Sequence, residues 1–534
     1  MRLGALLDAA SAQAIGFAWL REAVAPAGSY GQSRFSAIEP FTPGEEEAAC
    51  SRAARIARIA AAFDAGRLQS VYELAARVPD AGAAVARASM GDLLDDASLF
   101  EVQRFFDACT RLDVLTADCA DVPRTVNAAV VACAGALEAG RAGSSGFYLA
   151  DGFDPSLGQV RTALAHAQAE YDAAQGRARA AVAQALDREV SLPEFIVMRA
   201  DLDGPLPPGV RVVRETPAYF LCELDADEAA LGAMRRRDDA AANVARVEEA
   251  VRERLSATIR AHASALDDAM RAFGEADVLV AAARFASAHR CTVAQIVNDG
   301  PVVFEAGRYL PLALELERQG RAYTPIDLRL DGSAVVTGPN MGGKSACLRA
   351  CGFIALCAAF GLPVPALRAQ LPLFAEIGWL GIGADRDPEG SLLSSFAREV
   401  VRLRDLQAVA ASPRLILLDE FARTTNPREG KALLVAVLEW LRAEHACALA
   451  ATHLAGVAQA AGAQHYAVRG LRGIPQRPAT EDLPLALETL AASMDYTLEE
   501  VGGDGARGAD AIALASLLGI DARVIDAAYR ALEQ

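Results

Sequence analysis

Ser333-Ala-Val-Val-Thr-Gly-Pro-Asn-Met-Gly-Gly-Lys-Ser345 decides how this chain is read. A short apolar strand ends at Thr337, and Gly338 to Ser345 then fit G-x-x-x-x-G-K-S ahead of an apolar helical run. Glycines let backbone N–H groups turn inward around phosphate oxygens, and the following helix N-terminus adds its dipole. Gly338, Pro339, Asn340, Met341, Gly342 and Gly343 therefore form the expected phosphate cradle. Lys344 is expected at the β- and γ-phosphates of ATP, and the Ser345 hydroxyl on Mg²⁺.

Two further strands end in chemistry. Leu415-Ile-Leu-Leu-Asp-Glu420 is an apolar run closed by two carboxylates. Asp419 suits a Mg²⁺ role, and Glu420 is placed to orient or deprotonate the attacking water. Cys447-Ala-Leu-Ala-Ala-Thr-His453 ends in a histidine. Alone such a residue reads as structural; downstream of a phosphate loop it reads as a sensor of the γ-phosphate. From about residue 300 onward, short hydrophobic strands alternate with helices, the pattern of an α/β domain with a mostly parallel sheet.

Upstream the texture differs. Residues 1–135 read as short amphipathic helices, a helical core. A Gly/Ser-rich break follows, and 136–190 carry a long Ala/Arg/Glu helix, from Gln159 to Val190. Residues 191–225 change period: Phe195 to Arg199 and Val210 to Arg214 read as strands joined by a Pro/Gly-rich turn. Residues 226–300 return to helix, predicted as one long element from about Asp227 to Phe273. Two long helices flanking a small β-insert read as a lever carrying a tip, and 301–534 as the nucleotide-binding domain. The expected fold class is α plus α/β.

The 534 residues, 53% hydrophobic and 23% charged, exclude wholesale disorder and a small disulfide-stapled scaffold. Net charge is −17, so no general affinity for nucleic acid follows from charge. The ten cysteines form no C-x-x-C pair or zinc-type spacing, and Cys347, Cys351 and Cys357 share one apolar helix as small hydrophobes. The first residues are not a secretory signal, and glycines and prolines break the charge-free stretch Ala350 to Leu367. No membrane association and a cytoplasmic location are expected. Of 52 basic residues only Lys344 and Lys431 are lysine. Lys344 sits where a compact ammonium is needed; Lys431 has no reading.

Together these segments resemble the MutS-type ATPases, relatives of the ABC ATPases. Thr337 to Ser345 is that family's P-loop almost letter for letter. In Phe421-Ala-Arg-Thr-Thr-Asn-Pro-Arg-Glu-Gly430, Arg423, Thr425 and Gly430 match the loop after the Asp-Glu strand, and Thr424 replaces a usual glycine. Ala451-Thr-His453 matches the histidine loop. Ser391-Leu-Leu-Ser-Ser-Phe-Ala-Arg-Glu399 resembles the signature whose serine reaches the partner subunit's ATP, with Ser394 the first candidate and Ser395 the second. The resemblance therefore implies a homodimer through the ATPase domains. It places Tyr323 against the adenine and Tyr496 to Leu532 in the C-terminal part of the ATPase. It likens Asp151-Gly-Phe-Asp-Pro155, the insert and Ala265 to Cys291 to the family's lever and clamp.

The resemblance implies a dimeric clamp that couples ATP to DNA binding, in mismatch repair or on particular DNA structures. A mismatch-recognising N-terminal domain with a Phe-x-Glu wedge is not expected, and Phe273-Gly-Glu275 is read as matching those letters only by coincidence. The insert itself is acidic: Arg199, Arg211 and Arg214 face Glu194, Asp201, Asp203, Glu215, Glu223 and Asp225. A phosphate-gripping groove should be basic. The alternative is a MutS-like ATPase acting on a protein, as do compact chains described as reactivating a cobalamin-dependent lysine aminomutase. A pseudo-ATPase is disfavoured by the intact Lys344, Ser345, Asp419, Glu420 and His453.

Overall fold

A computed structural model describes residues 1–140, 147–190, 194–202, 204–339, 342–381, 395–409, 412–471, 494–502, 512, 515 and 520–532. The chain divides into two units. One comprises Val78–Arg111 and Thr125–Met270, the other Met1–Arg77, Leu112–Arg124 and Arg271–Gln534. The helical stretch 1–135 is thus shared between them.

In the first unit, Asp154 caps the helix Pro155–Ala185 by accepting the Ser156 N–H, and Pro155 occupies the first turn, where a missing donor costs nothing. Asp227 caps Glu228–Ala261 in the same way through the Ala230 N–H. These two helices pack antiparallel: Arg161 pairs with Glu248 at 2.9 Å, Arg236 with Glu170 at 3.1 Å, and Ala174 packs on Ala230 and Ala233. The helix predicted to run to Phe273 breaks instead at His262, and Ala263–Ala288 begins anew. His262 leaves helical geometry at φ −112° and ψ 6°, with neither proline nor glycine to announce it in the sequence.

Between the long helices lie β1 (Glu194–Met198), β2 (Val210–Glu215) and β3 (Tyr219–Leu224). Both predicted strands form, and β3 lies between them in the sheet, antiparallel to both. Tyr-Phe-Leu-Cys-Glu-Leu has no polar alternation, so nothing in its pattern marks it as the middle strand. Phe195, Val197 and Cys222 close a small core with Val182 and Val190, and Phe220 packs against it.

The second unit holds β4 (Gln295–Val297), β5 (Val302–Gly307), β6 (Ile326–Leu330), β7 (Ser333–Thr337), β8 (Arg368–Pro372), β9 (Glu376–Gly381), β10 (Arg414–Asp419), β11 (Cys447–Ala451), β12 (Gln464–Leu471) and β13 (Met494–Glu500). Four form a sheet in the order β4-β8-β5-β6. Six form the sheet β13-β12-β7-β11-β10-β9, parallel except where β13 meets β12. Register aligns Val336 of β7, Ala451 of β11 and Asp419 of β10 in one row. The loops after these strands therefore leave at one edge, where open parallel sheets bind ligands.

The helix Lys344–Ala359 is apolar on nearly every face and correspondingly buried. Burial pushes the thiols of Cys347, Cys351 and Cys357 up, that of Cys347 to about 12, so they act as packing groups. Among the described residues, no helix is long and apolar enough to cross a membrane.

Candidate functional site

Two glycines shape the loop after β7. Gly338 takes φ 146° and Gly343 φ 88°. A Cβ on Gly338 would lie 3.0 Å from Val468, and one on Gly343 3.3 Å from the Tyr496 ring. Asn340 and Met341 lie outside the described residues. Lys344 is folded onto its own loop: Nζ donates to the carbonyls of Gly338 and Pro339, each at 3.0 Å, and stands 3.7 Å from Glu420 Oε1. The side chain is only 5% exposed, and burial pulls its pKa down against the opposing charges of Glu420 and Asp419.

Ser345, the next residue, donates its hydroxyl to Asp419 Oδ1 at 2.8 Å. Burial raises the Asp419 pKa, opposed by that hydrogen bond and by the charge of Arg349. Hydroxyl and carboxylate oxygens this close form the hard-donor pair that suits Mg²⁺. Among the described residues no group of three or more His, Cys, Asp or Glu side chains is arranged for a metal. An ion at Ser345 and Asp419 would draw its other ligands from phosphate and water.

Glu420 turns the chain sharply. Its N–H donates to Ala451 O at 2.9 Å, and its backbone sits at φ 52°, a conformation that side-chain-bearing residues rarely adopt. Oε2 accepts from Arg423 Nη1 at 2.7 Å. Burial pushes the Glu420 pKa up, but the Arg423 hydrogen bond and the charges of Lys344, Arg423 and His453 outweigh it and hold it below the usual value. Ala422 follows at φ 60° and donates its N–H to Glu399.

These groups surround a cavity of about 570 Å³, lined by Leu312, Gly342, Gly343, Lys344, Ser345, Ala346, Arg349, Asp419, Glu420 and Arg423. That volume is within the range of small-molecule sites. Leu312 and Arg349 were not expected there. Arg349 follows Ser345 by four residues, one helical turn, and that spacing was an available signal. Leu312 comes from the helix Leu310–Arg318, and no motif points to it.

The remaining candidates are placed as follows. His453, exposed just beyond β11, acts on Glu420 through its charge but does not line the cavity. Tyr323 is half-buried and does not line it either; its hydroxyl accepts the Tyr309 N–H at 3.1 Å, and burial pushes its pKa up to about 12. Ser394 and the side chain of Ser395 lie outside the described residues.

Similarity to known proteins falls on this same part of the chain. Residues 334–534 match the family described as MutS domain V. The chain thus carries a MutS domain V over this stretch. The MutS match opens at the second residue of β7 and contains Lys344, Ser345, Asp419, Glu420 and His453. The Endonuclease MutS2 of Clostridium botulinum (strain Langeland) is 34% identical over 202 residues, 37% of this chain and 25% of that protein. The Endonuclease MutS2 of Clostridium tetani is 32% identical over 208 residues, 38% of this chain and 26% of that protein. That of Pelotomaculum thermopropionicum is 33% identical over 203 residues, 37% and 25% respectively. The chain spans about a quarter of the length of these curated MutS2 relatives.

Proposed function

We propose that the chain is a Mg²⁺-dependent ATPase that couples nucleotide binding to closure of a homodimeric clamp around a client. The observation that carries this reading is convergence: Lys344 and Ser345 meet Asp419 and Glu420, from elements 74 residues apart, at one cavity. Lys344 brings a point charge to the β- and γ-phosphates beside the N–H groups of the helix start. Ser345 and Asp419 would hold Mg²⁺, which when bound would neutralise charge on the phosphate oxygens. Glu420, kept ionised by its cationic neighbours, orients the attacking water and accepts its proton. His453 senses the γ-phosphate, Tyr323 stands at the adenine on resemblance alone, and Ser394 or Ser395 completes the other protomer's site. Lys344→Ala and Glu420→Gln are each expected to lower turnover by about 10²–10⁴-fold, with ATP still bound by the second. Unchanged turnover in both variants, measured by phosphate release, would sink the assignment.

DNA is the client that the resemblance implies. A protein client is favoured by the tip sheet. Arg199 pairs with Glu215 and stacks on Phe220, Arg211 pairs with Glu223, and among the described residues only Arg214 of the tip arginines lacks a carboxylate partner. Exposed pairs are worth about 0–1 kcal/mol each, so pairing alone does not keep an arginine from a phosphate. The surplus of carboxylates supports the protein reading, because Glu194 and Glu223 stand side by side in register. The same face exposes apolar residues, Ile196 at 44% and Met198 at 43%. For the protein reading, duplex, branched and mismatched DNA should bind weakly and with a shallow salt slope. Tight binding that collapses between low and moderate salt would establish the DNA clamp instead.

A further inference from the structure

Glu399 is a buried carboxylate that the mechanism above leaves unused. It lies in the helix Ser395–Gln407 at 7% exposure. Its Oε2 accepts the Ala422 N–H at 2.8 Å, while its Oε1 is buried with no hydrogen-bond partner among the described residues. Buried carboxylate oxygens are rarely left without donors, because desolvation is then uncompensated. Its backbone partner, Ala422, is itself held at φ 60° between the two residues that form the ion pair of the site. Arg423 donates to Glu420 and is half exposed. The charges of Glu420 and Glu399 both act on Arg423, and its charge acts on both. Arg423 is thus bonded to one carboxylate, Glu420, and directly follows Ala422, whose N–H the other carboxylate, Glu399, accepts.

We propose that Arg423 exchanges between Glu420 and the vacant oxygen of Glu399, so that Glu399 is a positioning residue controlling when Glu420 is free to accept a proton from water. The inference rests on the ATPase reading. In the described arrangement Arg423 occupies Glu420 Oε2 and Lys344 faces Oε1. Phosphate draws Lys344 from the second oxygen, but a carboxylate still bonded to guanidinium is a weak base. Transfer of Arg423 to Glu399 removes that restraint, and the buried acceptor gains the donor it lacks. Glu399 also ties its helix to the Ala422 backbone, and that helix begins at Ser395, the residue after Ser394. Docking of a second protomer at those serines is thereby linked to the state of Glu420.

The test is a double-mutant cycle read in steady-state ATP hydrolysis. Glu399→Gln preserves an acceptor for the Ala422 N–H and removes only the charge. It is expected to lower kcat about tenfold with KM unchanged, while the unfolding midpoint does not fall. Glu399→Asp, which keeps the charge, should retain most of kcat. Made in Arg423→Gln protein, where no guanidinium remains to be trapped, Glu399→Gln should change kcat less than about twofold. Unchanged kcat in the single Gln variant, equal losses for Asp and Gln, or a tenfold loss in both backgrounds each overturns the exchange. No hydrolysis by the unmodified protein overturns the ATPase reading and the exchange with it. That result is read before any substitution and is distinct from failure of the cycle.

Discussion

A side chain at Gly343 would be strained, for two reasons. Its φ of 88° strains any residue with a Cβ by about 1–2 kcal/mol. The Cβ would also meet the Tyr496 ring at 3.3 Å, so one of the two must give way. Gly343→Ala should lower stability by about 1–2 kcal/mol in denaturant titration. Affinity for ATP should fall tenfold or more, because the N–H groups at the helix start are re-aimed. Lost stability with intact affinity would remove Gly343 from the cradle. Glu420 and Ala422 hold positive φ without being glycine, and at Glu420 the reason is chemical: the position needs both the turn and the carboxylate. Lys431, in the helix Pro427–Ala443, has nothing in the structure to explain why it is lysine.

Elements show how far local pattern reaches. The loop after β7 and the Asp-Glu end of β10 were legible because glycine spacing and apolar period are properties of adjacent residues. Leu312 and Glu399 were not, because each is brought to the site by packing between segments far apart in sequence. Asp277 belongs to the second kind. It sits in the helix Ala263–Ala288, 2% exposed, and caps the start of Ser29–Ser36 by accepting the N–H groups of Ala27 at 3.2 Å and Gly28 at 2.8 Å. Gly31 admits it, since a Cβ there would fall 2.2 Å from Asp277 Oδ2. Burial pushes its pKa up from 3.8 to about 6, against those two hydrogen bonds. The fold thus binds this proton more tightly than the unfolded chain does. The resulting stability is fully present below pH 4 and is lost as pH rises through 6, in total about 3 kcal/mol. Denaturant titrations of wild type and Asp277→Asn at pH 4 and pH 7 should differ in that sense, the comparison moving toward the variant at the higher pH. A difference independent of pH would show that Asp277 is ionised throughout.

At the scale of the molecule the net charge of −17 becomes local, because the tip sheet carries the same sign. On the proposed clamp reading, an acidic tip would gain little from polyanion attraction, and nucleotide and the contact between protomers would have to drive the cycle. Shared sites make that contact testable without knowing the client. If Ser394 of one protomer completes the ATP site of the other, then Glu420→Gln and Ser394→Ala are each inactive as homodimers for different reasons. Mixed and allowed to exchange subunits, they produce dimers in which one site carries both defects and the other carries neither. Random reassortment then restores about a quarter of wild-type turnover, half of the dimers having one intact site of two. Recovery with Ser395→Ala in place of Ser394→Ala would move the role by one residue. No recovery with either serine, in protein shown to exchange subunits, would mean that each protomer completes its own site. Glu399 would then respond to its own nucleotide, not to its partner.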